Sequence, residues 1–505
     1  MTDIKDLVVF KSLRVHNISI EKNRVKSLYT LTNLKGHEKS TEFFYSYNEN
    51  FFDPSSGADI NLASLMSAQV AINYGLFCRE LVFDGLYDNV DRQFIRDMIE
   101  NTSREIYVNK FLFQNEFLLP PFDRPEIKRY RKYTAASVSF KNTSFENFRI
   151  EKNNGANRID HFTILSSGGK DSLLTYGIIK ELYNPHPVFI NESGRHWFTA
   201  YNAYNYFRQH EPNTVKPWCN SDRIFNWMAK EMPFIKPNFQ NIRADMYPVR
   251  LWTVAVFIFG ALPVALKRKT ANILIGNEYD CTQRYNYHGI THYNSLYDQS
   301  KYFDNALTRY YHRKGWDINQ YSILRSLSEM LILKTLVKRY PVLQKLQVSC
   351  HAAHKQNDIM KPCGNCEKCR RIVGMLESLD EDPGRCGYEP EQITRCLHKL
   401  ESKSVKQIGS DAQHLYHLLI SRNLISDNKN TRRMAGNHPE IMQLRFDNER
   451  SMLRDVPVFI RKDLYRILSY YADGAVIMKH RKWHIFNLDD NYLSEPYFIK
   501  ADNEK

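Results

Sequence analysis

The sequence predicts an α/β protein with a doubly wound parallel sheet at its centre. Short buried strands are expected at residues 161–165, 187–190 and 272–275. A glycine-rich turn follows the first strand, and residues 171–182 then have the apolar spacing of a helix. Strand, helix and strand in this order predict parallel strands joined by right-handed crossovers.

The flanking regions differ in pattern. Residues 8–50 alternate between polar and apolar, which is typical of β-hairpins, residues 62–98 are predicted to be helical, and residues 135–150 return to a strand-like pattern. A polar segment at 152–157 indicates a domain boundary, and helical segments with a basic aromatic tail follow Pro383. We therefore expect an N-terminal α+β domain (1–155), a central domain (156–382) and a mainly helical C-terminal extension (383–505).

Composition limits the class of protein. The chain has 505 residues, enough for about three domains, and 43% hydrophobic with 25% charged residues excludes disordered and fibrous proteins. The net charge of +14 favours anionic partners. The N-terminus has no basic, apolar leader, and the apolar run 251–266 is shorter than the ~20 residues that span a bilayer. We expect a cytoplasmic protein with no membrane partner, in which this run forms a buried helix.

The segment Ser166-Ser167-Gly168-Gly169-Lys170-Asp171-Ser172 lies between the first strand and its helix. Adjacent glycines allow a tight turn, and a helix N-terminus offers unpaired N–H groups to a polyphosphate. The spacing is not that of a Walker A loop. The alternative is a turn in which a Ser or Asp side chain caps the helix.

The order SGGKDS resembles the SGGxDS signature of the PP-loop ATP pyrophosphatases, which have a HUP-like α/β fold and split ATP between the α and β phosphates. The resemblance implies that the loop residues listed above bind ATP and the departing pyrophosphate. It also implies that Lys170 and Asp171 take part in catalysis, with Asp171 helping to place Mg²⁺.

Two branches of that superfamily share further motifs with the chain. The 7-cyano-7-deazaguanine synthases have a patch similar to residues 191–196, which contain Arg195, and a turn similar to Gly276–Asp280. By this resemblance Arg195, Asn277, Glu278 and Asp280 contact the nucleotide.

The other branch is the ATP-dependent epimerases that act on UDP-N-acetylmuramoyl-L-alanyl-L-glutamate. Residues 276–278, 298–301 and 324–329 are similar to three of their motifs. By this resemblance Lys301 and Arg325 bind a carboxylate or phosphate group of the substrate, and Glu329 acts as a metal ligand or as a base. The alternative for each of these residues is a charged helix face.

The resemblance covers about residues 160–375 and leaves the substrate open. It implies an ATP- and Mg²⁺-dependent enzyme that adenylates a carboxylate, followed by attack of an amine or ammonia, or by epimerisation. The rival hypothesis is a related protein that acts on a macromolecular partner, a protein or an RNA, including a role in defence. A nucleotide-binding effector without small-molecule turnover is a further form of that rival.

Four cysteines form the pattern Cys350-x12-Cys363-x2-Cys366-x2-Cys369. Such spacing is typical of a structural zinc site with four thiolates, and the deazaguanine synthases have a similar knuckle. An iron–sulfur cluster and free thiols are the alternatives. Cys281 is either a sulfur-transfer nucleophile or a small apolar filler.

Two basic runs, 124–133 and 479–484, are interleaved with aromatic residues. This pattern can bind nucleic acid, but no named nucleic-acid motif accompanies it. We favour a solvated surface for both runs.

Overall fold

The computed structural model describes residues 3–123, 126–143, 157–192, 194–242, 246–293, 296–350, 352–407 and 409–499. Over these ranges the chain is an α/β protein with a large mixed sheet, a parallel sheet, three smaller sheets and a cluster of four cysteines. The α/β prediction is confirmed. The narrower assignment, a doubly wound sheet of the PP-loop type, stays a prediction.

The N-terminal region forms most of a mixed sheet with helices against it. Its strands are β1 (Phe10–Val15), β2 (Ser19–Glu21), β3 (Arg24–Asn33), β4 (Glu38–Ser46), β5 (Cys78–Tyr87) and β6 (Ser137–Thr143). Its main helices are α1 (Gly57–Ala68) and α2 (Asn89–Ile106). The strands β6, β5 and β1 are parallel to one another, whereas β3 pairs antiparallel with both β1 and β4.

The helix predicted over residues 62–98 is wrong in its middle, because β5 occupies 78–87. This strand lies between β1 and β6, and Leu81, Val82 and Phe83 are all buried. A strand covered on both faces has no polar alternation, so its sequence does not differ from that of a buried helix.

The central region contains the parallel sheet. Its elements are β7 (Arg158–Leu165), α3 (Lys170–Leu182), β8 (Asn184–Val188), α4 (Arg195–His210), β9 (Trp218–Cys219), α5 (Ser221–Glu231), α6 (Val254–Lys267), β10 (Thr270–Leu274), β11 (Arg284–Tyr287), β12 (Ile290–Tyr293), α7 (Lys301–Arg313), β13 (Asn319–Tyr321), α8 (Glu329–Arg339), α9 (Pro341–Gln344), β14 (His354–Gln356), β15 (Ile359–Lys361) and α10 (Glu367–Ser378). In the described part of the chain the parallel strands have the order β13-β10-β7-β8.

The register of this sheet brings the carboxyl ends of its strands to one edge. Leu165 pairs with Val188, Ile164 pairs with Leu274, and Leu274 pairs with Tyr321. The loops that follow all four strands therefore begin side by side. In open α/β sheets this edge is where ligands bind.

Apolar residues cover both faces of the parallel sheet. Ile164 belongs to the core that contains α3 and α8, and Leu165 belongs to the core that contains α6. The apolar run 251–266 lies mostly in α6, which confirms the buried helix. Within the described ranges, no helix has both the length and the apolar character needed to cross a membrane.

The N-terminal and central regions share the core that contains α6. The strand β9 pairs with β4, and the hydroxyls of Tyr45 and Tyr47 donate to the carbonyls of Val256 and Gly260 in α6, both at 2.8 Å. Of the segment 152–157, where the first boundary was expected, residues 152–156 lie outside the described ranges. The three-domain division stays a prediction.

The C-terminal region is mainly helical but also contains a small sheet. Its helices are α11 (Pro390–Leu400), α12 (Gly409–Ser421), α13 (Lys429–Met434), α14 (Val458–Tyr471) and α15 (Asp490–Leu493). Its strands are β16 (Leu444–Phe446), β17 (Ala475–Lys479) and β18 (Lys482–Ile485). The basic run 479–484 is the end of the β17–β18 hairpin. In the other basic run, Tyr133 is buried against Tyr107, so its ring is not free to stack on a base.

Candidate functional site

The glycine-rich turn joins the end of β7 to the start of α3. Gly168 has φ of +71°, and a Cβ there would lie 2.5 Å from the carbonyl oxygen of Thr199 in α4, so the position requires glycine. Gly169 is the N-cap of α3, and no side chain caps the helix. The alternative of a Ser or Asp cap is therefore wrong. The amide groups of the first turn and the positive end of the helix dipole suit an anion.

The three serines of the turn have different surroundings. Ser166 and Ser172 are buried, with their hydroxyls 3.3 Å apart, and Ser172 also donates to the carbonyl of Gly169 at 3.1 Å. Ser167 is exposed. The first two hydroxyls brace the turn, and the third is free to face a ligand.

The ammonium group of Lys170, the first residue of α3, lies among three carboxylates. Its Nζ is 2.9 Å from Asp171 Oδ1 and 3.1 Å from Glu329 Oε1. Glu278 Oε2 is 3.7 Å away. These carboxylates come from α3, from the loop after β10 and from the first residue of α8. We call these four residues the Lys170 group, and the structure brings together all four as sequence-predicted site residues.

The charges of the Lys170 group depend on one another. Burial alone would raise the pKa of Glu329, but Arg371 and Lys170 outweigh burial and lower this pKa to about 2. Burial, with the negative charges of Glu329 and Asp171, raises the pKa of Glu278 far above its usual value despite Lys170. Burial disfavours the charged form of Lys170, yet the carboxylates outweigh it and raise the Lys170 pKa. At neutral pH Lys170 and Glu329 are therefore charged, whereas the charged form of Glu278 is disfavoured.

The loop after β10 packs directly on this group. A Cβ on Gly276 would lie 2.9 Å from the backbone of Asp171, so the two loops approach as closely as glycine permits. Asn277 is held by Ser322, whose hydroxyl donates to the Asn277 carbonyl at 2.7 Å and accepts from its N–H at 3.1 Å. The side-chain nitrogen of Asn277 is buried without a hydrogen-bond partner. It is a donor available at the edge of the sheet.

The C-terminal region reaches into the site. Gln407 Nε2 donates to Glu329 Oε2 at 2.7 Å. In α12, Asp411 is buried, and its Oδ2 lies 3.5 Å from Arg445 Nη1. Burial, reinforced by the nearby Asp280, raises the pKa of Asp411 to about 8 against the opposing charge of Arg445.

Tyr279 lies between two arginines of the same C-terminal region. Its ring centre is 4.1 Å from the Arg445 guanidinium and 5.1 Å from that of Arg450, and its hydroxyl donates to Asp447 at 2.9 Å. Arg450 is also 3.8 Å from Asp280. Arg445 and Arg450 are not predicted from the sequence, because no motif marks them and their position depends on how β16 docks.

Lys301 and Arg325 lie elsewhere in buried ion pairs. Lys301 Nζ is 3.0 Å from Asp455 Oδ2, and Arg325 Nη2 is 2.6 Å from Asp304 Oδ2. Arg325 Nη1 also donates to Thr282. Neither ion pair includes a member of the Lys170 group, so their role as substrate clamps stays a prediction.

The four cysteines converge as their spacing predicts. Their sulfurs all lie within 4.8 Å of one another. The Sγ–Sγ distances are 3.9 Å from Cys350 to Cys366, 3.8 Å from Cys363 to Cys369 and 3.5 Å from Cys366 to Cys369. A tetrahedral zinc with Zn–S bonds of about 2.3 Å requires about 3.8 Å. Backbone N–H groups of Cys363 and Cys366 also donate to sulfur, as expected around thiolates.

This cluster is connected to the Lys170 group through α10. Cys366 is the N-cap of α10, Cys369 lies in its first turn, and Arg371 follows in the next. Arg371 Nη1 is 3.4 Å from Glu329 Oε2. A metal bound by the cysteines would therefore fix the end of the helix that directs Arg371.

The remaining predicted residues are a cysteine and an arginine. Burial raises the pKa of Cys281 to about 12, so it is a protonated thiol at neutral pH rather than a ready nucleophile. Arg195 begins α4, and its side chain lies outside the described part of the structure.

No protein-family model, no curated protein and no solved structure matches this chain.

Proposed function

We propose that this chain is an ATP- and Mg²⁺-dependent enzyme of the PP-loop pyrophosphatase type that adenylates a carboxylate and releases pyrophosphate. One observation supports this most. An uncapped, glycine-dependent helix start meets the Lys170 group at the carboxyl edge of a parallel sheet.

The turn would bind the departing pyrophosphate. Amide groups from Gly168 to Ser172 and the exposed Ser167 hydroxyl donate to phosphate oxygens, and Lys170 neutralises part of their charge. Lys170 is held by carboxylates in the free protein, so it is already aligned when phosphate oxygens arrive.

The same group suits Mg²⁺. This ion prefers one or two carboxylates together with substrate phosphates, and Asp171, whose side chain is 30% exposed, is the accessible carboxylate beside the turn. Bound Mg²⁺ would neutralise charge that develops on the pyrophosphate. Glu329, ionised at neutral pH, is the second candidate ligand.

The reaction itself is a displacement at the α-phosphorus. A carboxylate oxygen of the substrate forms a bond to that phosphorus, and the bond to the oxygen bridging the α and β phosphates breaks. Pyrophosphate leaves with the electron pair. The protein supplies position and charge complementarity for this step.

The contacts of the C-terminal region favour an enzyme over a nucleotide-binding protein that acts through a separate appendage. Gln407 and Arg450 contact Glu329 and Asp280, so this region forms part of the site wall. Zinc in the four-cysteine cluster would have a structural role, because four thiolates leave no open coordination position.

The experiment is incubation with ATP labelled at the α-phosphate, Mg²⁺ and a metabolite extract, scored for AMP against ADP. We expect AMP and pyrophosphate, and a loss on the order of 10³-fold for Asp171→Ala. Asp463→Ala, a change at an exposed ion pair of α14, is the matched control and should keep full activity. ADP and phosphate as products would contradict the proposal.

A further inference from the structure

Arg445 has an unusual set of contacts for a buried arginine. Its side chain is 3% exposed. Nη1 is 3.5 Å from Asp411, while Nε and Nη2 have no hydrogen-bond partner. Among the described residues, it alone has two buried guanidinium nitrogens without a partner.

The two nitrogens lie on the same edge of the guanidinium plane. Nε and Nη2 together form the fork that binds a carboxylate or a phosphate through two parallel hydrogen bonds. Leaving such donors unpaired in the interior is costly, because the charged group has lost water without gaining acceptors. The arrangement therefore points to a ligand.

Several contacts keep Arg445 in place without using that fork. Its backbone N–H donates to the carbonyl of Ser326 at 2.8 Å, and its guanidinium packs against the ring of Tyr279. Burial raises the pKa of Asp411 to about 8, which weakens the negative charge beside Arg445 at neutral pH. The positive charge of Arg445 is therefore only partly compensated.

We propose that Arg445 binds an oxyanion of the ligand, through a two-pronged contact to a phosphoryl or carboxylate group beside the Lys170 group. This inference rests on the proposed function, and it assigns to the C-terminal region the oxyanion-binding role that the motifs gave to Lys301 and Arg325. Those two residues already pair with Asp455 and Asp304. The fork of Arg445 remains available.

The first arm of the test uses pyrophosphate and ATP with Mg²⁺ as probes. Binding is measured by calorimetry and by the ligand-induced rise in melting temperature, which is normalised to each variant's own stability. Arg445→Lys keeps the charge and loses the fork, and Arg445→Ala loses both. If the oxyanion is a phosphoryl group, pyrophosphate binding weakens by about 10- to 100-fold in both variants, as expected for a charged contact.

The second arm tests the carboxylate source. At saturating ATP, the rate of AMP release is measured with a panel of simple aliphatic and aromatic monocarboxylates. If the oxyanion is the substrate carboxylate, pyrophosphate affinity stays unchanged, while the carboxylate concentration for half-maximal rate rises by about 10- to 100-fold in Arg445→Lys. Either result supports the inference and identifies the source.

Arg461→Lys is the matched control. This buried arginine of α14 uses Nε and Nη1 on the carbonyls of Val456 and Leu493 and has only Nη2 without a partner, so it has no free fork. The change should therefore lower stability without altering either readout. Unchanged behaviour of Arg445→Lys in both arms would overturn the inference and leave the fork to a bound water. Failure of the wild-type protein to bind pyrophosphate or ATP would instead reject the proposed function.

Discussion

Two buried lysines of this protein show how a structural ion cluster differs from a functional one. Lys314, at the end of α7, contacts Asp88 and lies 3.0 Å from Asp91 and 2.9 Å from the side-chain oxygen of Asn61. Its side chain and both carboxylates are fully buried. Lys170 also has carboxylate neighbours, but Asp171 is 30% exposed and the turn beside it offers free amide groups.

The two clusters differ in whether all their buried polar atoms have hydrogen-bond partners. All three donors of Lys314 have acceptors, and its partners come from α1 and the start of α2, where the cluster ties helices together. Around Lys170, the Asn277 amide nitrogen and Glu278 Oε2 are buried without hydrogen-bond partners. Saturated clusters stabilise a fold, whereas unsatisfied buried polar atoms at a sheet edge indicate a ligand.

The largest effect is expected at the metal site, because it stabilises the fold and also positions Arg371 beside Glu329 of the Lys170 group. The protein should contain about one zinc per chain, and Cys366→Ser should lose it. Because binding energy at such a site is folding energy, we expect stability to fall by several kcal/mol. Pyrophosphate binding should weaken as well, since α10 then no longer fixes Arg371 against Glu329.

Elemental analysis and urea unfolding measure the first two outcomes. Cys386→Ser is the control, because Cys386 is buried outside the cluster. Iron in place of zinc, or a Cys366→Ser protein as stable as wild type, would contradict this prediction.

The next largest effect is expected at Lys314. Lys314→Met leaves Asp88 and Asp91 buried without their cation, and breaking a buried pair costs about 3–5 kcal/mol. Urea unfolding should show this loss, while the melting-temperature rise caused by pyrophosphate stays as large as in wild type. A loss of ligand response together with stability would remove the distinction between the two lysines.

The sequence predicted the parts of the site that are local in the chain. The turn 166–172, the Gly276–Asp280 loop and the cysteine spacing each lie within a short segment of the chain, so their patterns can be recognised without knowing their distant contacts. Arg445 and Gln407 reach the site only through the docking of the C-terminal region, which is determined by distant core contacts. The strand β5 was missed for a related reason, because its burial on both faces comes from neighbours far away in the sequence.

Lys170→Met is the counterpart of the Lys314 experiment and should have the opposite balance. We expect pyrophosphate affinity to fall by about 10- to 100-fold, the effect of losing one charged contact. Stability should fall less than in Lys314→Met, because water reaches Asp171 and Mg²⁺ can replace the lost charge. Calorimetry with pyrophosphate and urea unfolding in the same buffer give both numbers. Equal affinity for wild type and variant would place the phosphate elsewhere.

The smallest effect concerns a buried carboxylate that is held by backbone N–H groups. Asp298 Oδ2 accepts from the N–H groups of Thr253 and Ala255, both at 3.0 Å, at the start of α6. Burial raises the pKa of Asp298 to about 7, although these hydrogen bonds oppose the rise. The unfolded chain releases this proton near pH 4. Between these values the folded state binds the extra proton, so stability falls as pH rises through this window.

Asp298→Asn keeps an acceptor oxygen and removes the titration. The stability of wild type relative to this variant should therefore decrease by about 1 kcal/mol from about pH 5 to about pH 6, the free energy of one pKa unit. Urea unfolding of both proteins at the two pH values measures the difference between their free energies of unfolding. The other titrating groups are common to both proteins, so their contributions cancel in this difference. A constant difference would mean that Asp298 is ionised in the folded state throughout. The backbone N–H groups of Thr253 and Ala255 would then be enough to keep a buried carboxylate ionised.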